Sequence, residues 1–131
     1  MSDKAEILNH PAVNPETKHF WEAAEAGQLY VKHCNSCGEN HFYPRAQCPY
    51  CRSLNTSWLQ STGKGTIYSY TVMRRASPPC VVAYVTLDEG PSMFTNIVDC
   101  DFDALKIGDQ VKAKHVYSAD GLPIAVFVPS D

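Results

Sequence analysis

Four cysteines, Cys34, Cys37, Cys48 and Cys51, form two Cys-x-x-Cys pairs with ten residues between them. Within each pair the spacing is one turn, so both sulfurs can point at a single ion. Two such turns facing each other offer four thiolates in a tetrahedron, the arrangement of a closed structural zinc site. A doubled Cys-x-x-Cys is a far more specific signal than a lone one. Gly38 follows the first pair, where the backbone turns sharply and a positive φ is favoured. Two disulfides, or four unrelated buried thiols, are the alternatives; nothing in the chain points to the oxidising compartment that disulfides need. A thioredoxin-like redox site uses one pair and leaves the second unexplained. His33 and His41 flank the pairs. With four thiolates in place, they read as neighbours of the site or surface residues rather than ligands.

Two cysteines remain, and nucleophilic catalysis is the chemistry a free thiol would offer. It needs a nucleophile near a base, with donors for the oxyanion. Cys80 follows Pro78 and Pro79 at the start of an apolar run and reads as a small buried hydrophobe. Cys100 lies between Asp99 and Asp101, and negative neighbours raise a thiol pKa. A zinc held by four thiolates has no open position for water. The chain therefore reads as having no catalytic residues of its own.

The elements that must position the cysteines are legible on both sides of them. Asn14 is an N-cap candidate and Pro15 suits the first helical position. Phe20, Ala23, Ala24 and Gly27 share one helical face, and Trp21 lies beside it. Gly27 ends this helix of about 12 residues as a left-handed cap. Phe20 and Trp21 need a surface to cover: either the chain's own cysteine-rich region or a partner protein. Residues 29–33, 41–44 and 58–60 read as three short strands around the cysteine turns, the layout of a zinc ribbon.

From Gly63 the composition changes to β-branched and aromatic runs. Strands are expected over 66–73, 80–87, 92–98, 110–117 and 123–128. Ile67, Ser69 and Thr71 alternate with Tyr68, Tyr70 and Val72, so the first of these carries bulk on both faces. Residues 74–79 break the pattern as a stiff loop. Residues 99–105 read as a short helix with Phe102 and Leu105 at i, i+3. Asp120-Gly121 is a hairpin signal. Five strands with a helix between the third and fourth are the arrangement of an OB-fold barrel. The expected fold is mainly β, in three parts: a lead-in and helix over 1–28, a zinc ribbon over 29–61 and the barrel over 62–131.

The chain has 131 residues and a net charge of −3. That balance gives no electrostatic footprint for nucleic acid. Residues 1–6 lack the pattern of a signal peptide, and no apolar run has the length of a membrane span. A cytoplasmic protein, outside the membrane, is expected.

The motifs together resemble those of the domain of unknown function 35 family. They are Asn14-Pro15, Phe20-Trp21-Glu22, Gly27-Gln28-Leu29, the first cysteine turn with Gly38, Phe42-Tyr43-Pro44-Arg45, Cys48-Pro49-Tyr50-Cys51, the stretch from Gly63 to Thr71, and Ile107-Gly108-Asp109-Gln110-Val111. The resemblance covers residues 14–128 with the motifs in order. It implies an N-terminal helix, a rubredoxin-like zinc ribbon and an OB-fold. It further implies a small accessory subunit of a thiolase-fold acyl-CoA enzyme, a thiolase or acyltransferase, in a hetero-oligomer. The small subunit would support the large one and help form its acyl-CoA site, while the active-site residues belong to the partner. One structural zinc is implied, and a CoA ester shared with the partner. Lys64, Arg74 and Arg75, expected at one end of the barrel, are candidates for CoA phosphates. Phe20, Trp21, Pro78 and Pro79 are candidates for the partner interface. The competing readings are a nucleic-acid-binding module, for which Tyr68, Tyr70 and Tyr84 offer stacking surfaces, and a stand-alone acyl-CoA-binding protein.

Overall fold

A computed structural model of the chain describes residues 14–118 and 121–130. The polar lead-in expected over 1–13, and Asp120 of the expected hairpin turn, lie outside the described residues. The described residues open with a capped turn. The Asn14 side chain accepts the Thr17 N–H at 3.1 Å, and the Thr17 hydroxyl accepts the Asn14 N–H at 3.1 Å. This is the reciprocal exchange of a capping box. The regular helix that follows, α1, is Lys18–Glu25. It is shorter than expected because residues 15–17 form the turn instead. Gly27, at φ +75°, closes it: the Gln28 N–H reaches the Ala23 carbonyl and the Gly27 N–H reaches Ala24, the two bonds of a Schellman motif.

Two antiparallel units follow. The first is a three-stranded sheet in the order β2-β1-β3, with β1 Tyr30–Cys34, β2 Asn40–His41 and β3 Thr56–Gln60. The second is a closed barrel of β4 Lys64–Met73, β5 Cys80–Leu87, β6 Ser92–Ile97, β7 Gln110–Tyr117 and β8 Pro123–Pro129, in the order β4-β5-β6-β8-β7. Four of its pairings are antiparallel; closure between β6 and β8 is parallel, at Ile97 and Phe127. This is the five-stranded OB-fold barrel anticipated from the sequence.

Strand β4 resolves why both of its faces looked bulky. Its register with β5 shifts between Ile67 and Ser69, leaving Tyr68 as the extra residue of a bulge. Before the bulge Ile67 points inward; after it Tyr70 and Val72 do, while Ser69 and Thr71 point out. The bulge sharpens the bend that barrel closure requires. Tyr70 then donates its hydroxyl to the Leu105 carbonyl at 2.7 Å. The helix expected over 99–105 is absent. That segment holds only turns, with one i to i+3 bond from the Ala104 N–H to Asp101. The Asp101 carboxylate accepts the Asp103 N–H at 3.0 Å, a local turn bond that competes with helix formation.

One continuous buried cluster joins helix, ribbon and barrel: Phe20, Trp21, Leu29 and Val31 belong to the same set as Ile67, Val85 and Phe127. Helix α1 packs on both β1 and β8. The link between the units is further tied by Glu89, in the β5–β6 turn. Its carboxylate accepts the Ser61 hydroxyl at 2.5 Å and the Thr62 N–H at 3.1 Å, while its carbonyl accepts the Asn40 side chain at 2.8 Å.

Gly65 is where β4 lies against both neighbours. A Cβ there would stand 2.6 Å from Val85 Cγ1 and 2.9 Å from the Thr86 carbonyl oxygen. Gly65→Ala should therefore cost about 1–3 kcal/mol, read as a lower urea midpoint with an unchanged m-value.

Candidate metal centre

The four cysteine side chains converge. Their Sγ atoms all lie within 4.8 Å of one another; Cys34 and Cys51 are 3.5 Å apart, Cys37 and Cys48 3.7 Å. A tetrahedron with zinc–sulfur bonds of about 2.3 Å has edges of about 3.8 Å, so the set fits one zinc ion. Neither His33 nor His41 belongs to the cluster.

The two turns that present the sulfurs are built alike. In the first, the Cys34 N–H bonds the Glu39 carbonyl and the Gly38 N–H bonds the Cys34 carbonyl. In the second, Cys48 and Ser53, then Arg52 and Cys48, repeat both bonds, each at 2.9 Å. Backbone N–H groups also face the sulfurs: Cys37 N–H on Cys34 Sγ and Tyr50 N–H on Cys48 Sγ, both at 3.4 Å. Without an ion the thiols share charge unequally. The Cys37 N–H brings the Cys34 thiol down to about 6, against the opposing effect of burial. A divalent ion removes the proton from every coordinating thiol.

The surroundings fix the turns and balance their charge. His33 Nδ1 meets the Asn40 amide oxygen at 2.6 Å. His41 is buried, and its Nε2 accepts the Arg45 N–H at 3.3 Å. Burial holds its pKa below the usual histidine value. Beside the cluster a polar cleft of about 720 Å³ is lined by Glu16, Arg45, Gln47, Cys48, Pro49 and Arg52. Four thiolates around a divalent ion carry two net negative charges. Arg45 and Arg52 line the same cleft as Cys48.

Lys32 went unnoticed in the sequence. It is buried in the ribbon, with its ammonium 4.3 Å from the centre of the Trp58 ring. Burial lowers its pKa while Glu16 opposes that. Its alternation with Val31 gave no signal, because a lysine in a short strand ordinarily faces water.

The other expected site residues are dispersed. Phe20 and Trp21 are 3% and 8% exposed. Phe20 meets the Trp21 ring edge-on at 4.8 Å, with Phe42 at 5.6 Å; the Trp21 indole N–H donates to the Tyr43 hydroxyl at 3.2 Å. They cover their own chain, one of the two surfaces considered for them. Pro78 and Pro79 are exposed on the β4–β5 loop. Lys64 does not join Arg74 and Arg75. They stand at opposite ends of β4, a strand of ~30 Å if fully extended. Arg74 is also bound to Asp103 at 2.7 Å, and Lys114 to Asp99 at 3.0 Å. Cys80 is half-buried opposite Met73. The Cys100 thiol is pushed up by burial and by Asp101 and Asp99, so it is a poor nucleophile.

A four-cysteine ribbon joined through one core to a closed OB barrel defines a zinc-ribbon/OB-fold protein. Residues 21–57 match the rubredoxin-like zinc ribbon domain of ChsH2, and residues 58–116 its C-terminal OB-fold domain. A DUF35 domain-containing scaffold protein of Methanothermobacter thermautotrophicus is 41% identical over 74% of this chain and 79% of its own length. The chain belongs to the DUF35/ChsH2 family. A probable enoyl-CoA hydratase alpha subunit of Thermomonospora curvata is 31% identical over 92% of this chain, which spans 39% of that relative's length. In the solved Ltp2-ChsH2(DUF35) aldolase, one chain superposes with a TM-score of 0.80 at 31% identity, covering 92% of this chain and 98% of that one.

Cys34→Ser or Cys48→Ser should abolish stoichiometric zinc and unfold the ribbon, because metal-binding free energy is folding free energy in such sites. Metal content and circular dichroism on the same sample check this; full zinc retention would show the ligand set to be wrong. The second turn also carries a built-in strain. Arg52 sits at φ +66°, the place held in the first turn by Gly38 at φ +78°. A non-glycine residue there costs about 1–2 kcal/mol. Arg52→Gly should raise the thermal midpoint of the zinc-loaded protein.

Proposed function

We propose that this chain is the zinc-binding accessory subunit of a thiolase-fold acyl-CoA enzyme, supporting the large subunit and helping to form its acyl-CoA site. The observation that carries the reading is the likeness to the DUF35 component of the Ltp2-ChsH2(DUF35) aldolase over nearly the whole of both chains. The relatives named as scaffold proteins support the same role. The hydratase names belong to proteins of which this chain spans well under half, so hydration is not carried over to it.

The chain's own groups agree with a supporting role. Four thiolates close the metal to water, and the raised thiol of Cys100 is unsuited to attack. The reacting cysteine and base then belong to the partner, and CoA thioesters are the substrate class. Lys64, Arg74 and Arg75 remain the candidates for a CoA phosphate, and Arg75 lies on the loop with the two prolines. It is exposed beside Pro78 and Pro79 and has no carboxylate partner among the described residues.

A tagged chain purified from its native cells tests the assignment. A thiolase-fold protein in stoichiometric amount, with about one zinc per small chain, is expected. A zinc-loaded chain recovered alone, from cells that contain its thiolase-fold proteins, would overturn it.

A further inference from the structure

In β4 from Thr66 onward, in β5 and in β6, there is no Asp, Glu, Lys or Arg. Inward positions of a barrel are apolar by necessity, but the outward ones ordinarily carry charge. Strand β7 does so, with Lys112 and Lys114 between its buried Val111 and Val116. The outer face of β4, β5 and β6 is different. Tyr84 and Phe94 are directly paired across it, 48% and 61% exposed, with ring centroids 5.1 Å apart. Met73 at 45% and the bulge residue Tyr68 at 69% extend the same apolar surface. A shallow hollow of about 150 Å³ lies among Ser69, Thr71, Val82, Tyr84 and Phe94, sized for one large side chain. Charge returns only at the two ends of the face, with Lys64 and Asp88 at one and Arg74 and Arg75 at the other. An apolar centre inside a charged rim is the anatomy of a protein–protein interface.

We propose that this face is the docking surface for the thiolase-fold subunit, seated against a concave, uncharged, apolar patch on it. The inference rests on the accessory-subunit reading and adds to it the surface used. The absence of charge selects the occupant. Barrels of this kind bind oligonucleotides on the face of their second and third strands, here β5 and β6. A nucleic acid needs cations along such a face to follow its phosphates, and the face offers none. A second copy fits poorly as well. Three strands ~4.8 Å apart and ~23 Å long give ~300 Å², against ~800 Å² on each side of a standard interface. Two convex barrel faces would touch over less still. A larger, concave partner reaches the hollow at Tyr84 and Phe94 and the loop bearing Arg75, Pro78 and Pro79 together.

The test uses the full zinc-loaded chain and its thiolase-fold subunit, co-expressed and then titrated as purified components. Phe94→Glu places a charge at the centre of the face, and Phe94→Ser only shortens the side chain. Residue 94 points outward, so both variants should keep the zinc content and thermal midpoint close to those of wild type. Leu54→Glu, at a still more exposed apolar residue of the ribbon (76% exposed), is the control. Phe94→Glu should weaken association at least about 30-fold, the scale of a central interface residue, Phe94→Ser less, and Leu54→Glu within about threefold. Wild-type affinity in Phe94→Glu overturns the surface assignment while leaving the accessory role standing. No association of the wild-type chain overturns both. A wild-type homodimer, or binding to an oligothymidine, that Phe94→Glu abolishes would reassign the face to a second copy or to nucleic acid.

Discussion

The ribbon cannot stand on its own apolar surface, and the rest of the architecture follows from that. Its strands are 5, 2 and 5 residues long, far too little to bury a core. Two supports make up the deficit. The four cysteine side chains converge where one ion would cross-link the tips of the sheet, and a single cluster of buried side chains ties its base to the barrel. Helix α1 is the piece that makes the second support possible, because it touches both β1 and β8. His19 of that helix lies 4.9 Å from the rings of both Tyr30 and Trp58, while Phe20 and Trp21 fill the space between the units. The two aromatics therefore have a structural use within their own chain.

What was legible in the sequence and what was not divides along a physical line. The cysteine spacing is local, and it specified the site without reference to anything distant. The apolar run of 80–87 and the alternation in 110–117 are also local, and the strands occupy those residues. One failure is local to its segment, and the others involve relations between segments. Residues 99–105 have helical spacing, but the side chain of Asp101 bonds a nearby N–H and the segment stays as turns. Lys64 and Arg74 were placed together as loop-end cations, yet one ten-residue strand separates them. Lys32 is buried only because Trp58 and His41 stand opposite it in the sheet, and pairing across a sheet leaves no mark in a single segment.

The bulge in β4 shows how one such relation redistributes function. A regular strand would have put Tyr70 and Val72 on the side opposite Ile67. The extra residue, Tyr68, returns both to the interior, where the Tyr70 hydroxyl can reach Leu105. Ser69 and Thr71, small and neutral, are left on the outside. They border the hollow beneath Tyr84 and Phe94, so the same irregularity that closes the barrel also shapes its uncharged outer face.

The two halves then take up different work for a common reason. Around the cysteines, ionisable groups are dense: Cys48, Arg45, Arg52 and Glu16 line one polar cleft. Such a surface is already well solvated and gains little from burial against another protein. The β4–β5–β6 face has no charge to desolvate, so covering it releases apolar surface from water without the cost of burying an ion. The metal therefore acts at a distance from association: it holds the ribbon, the ribbon and α1 share one core with the barrel, and the barrel presents the face.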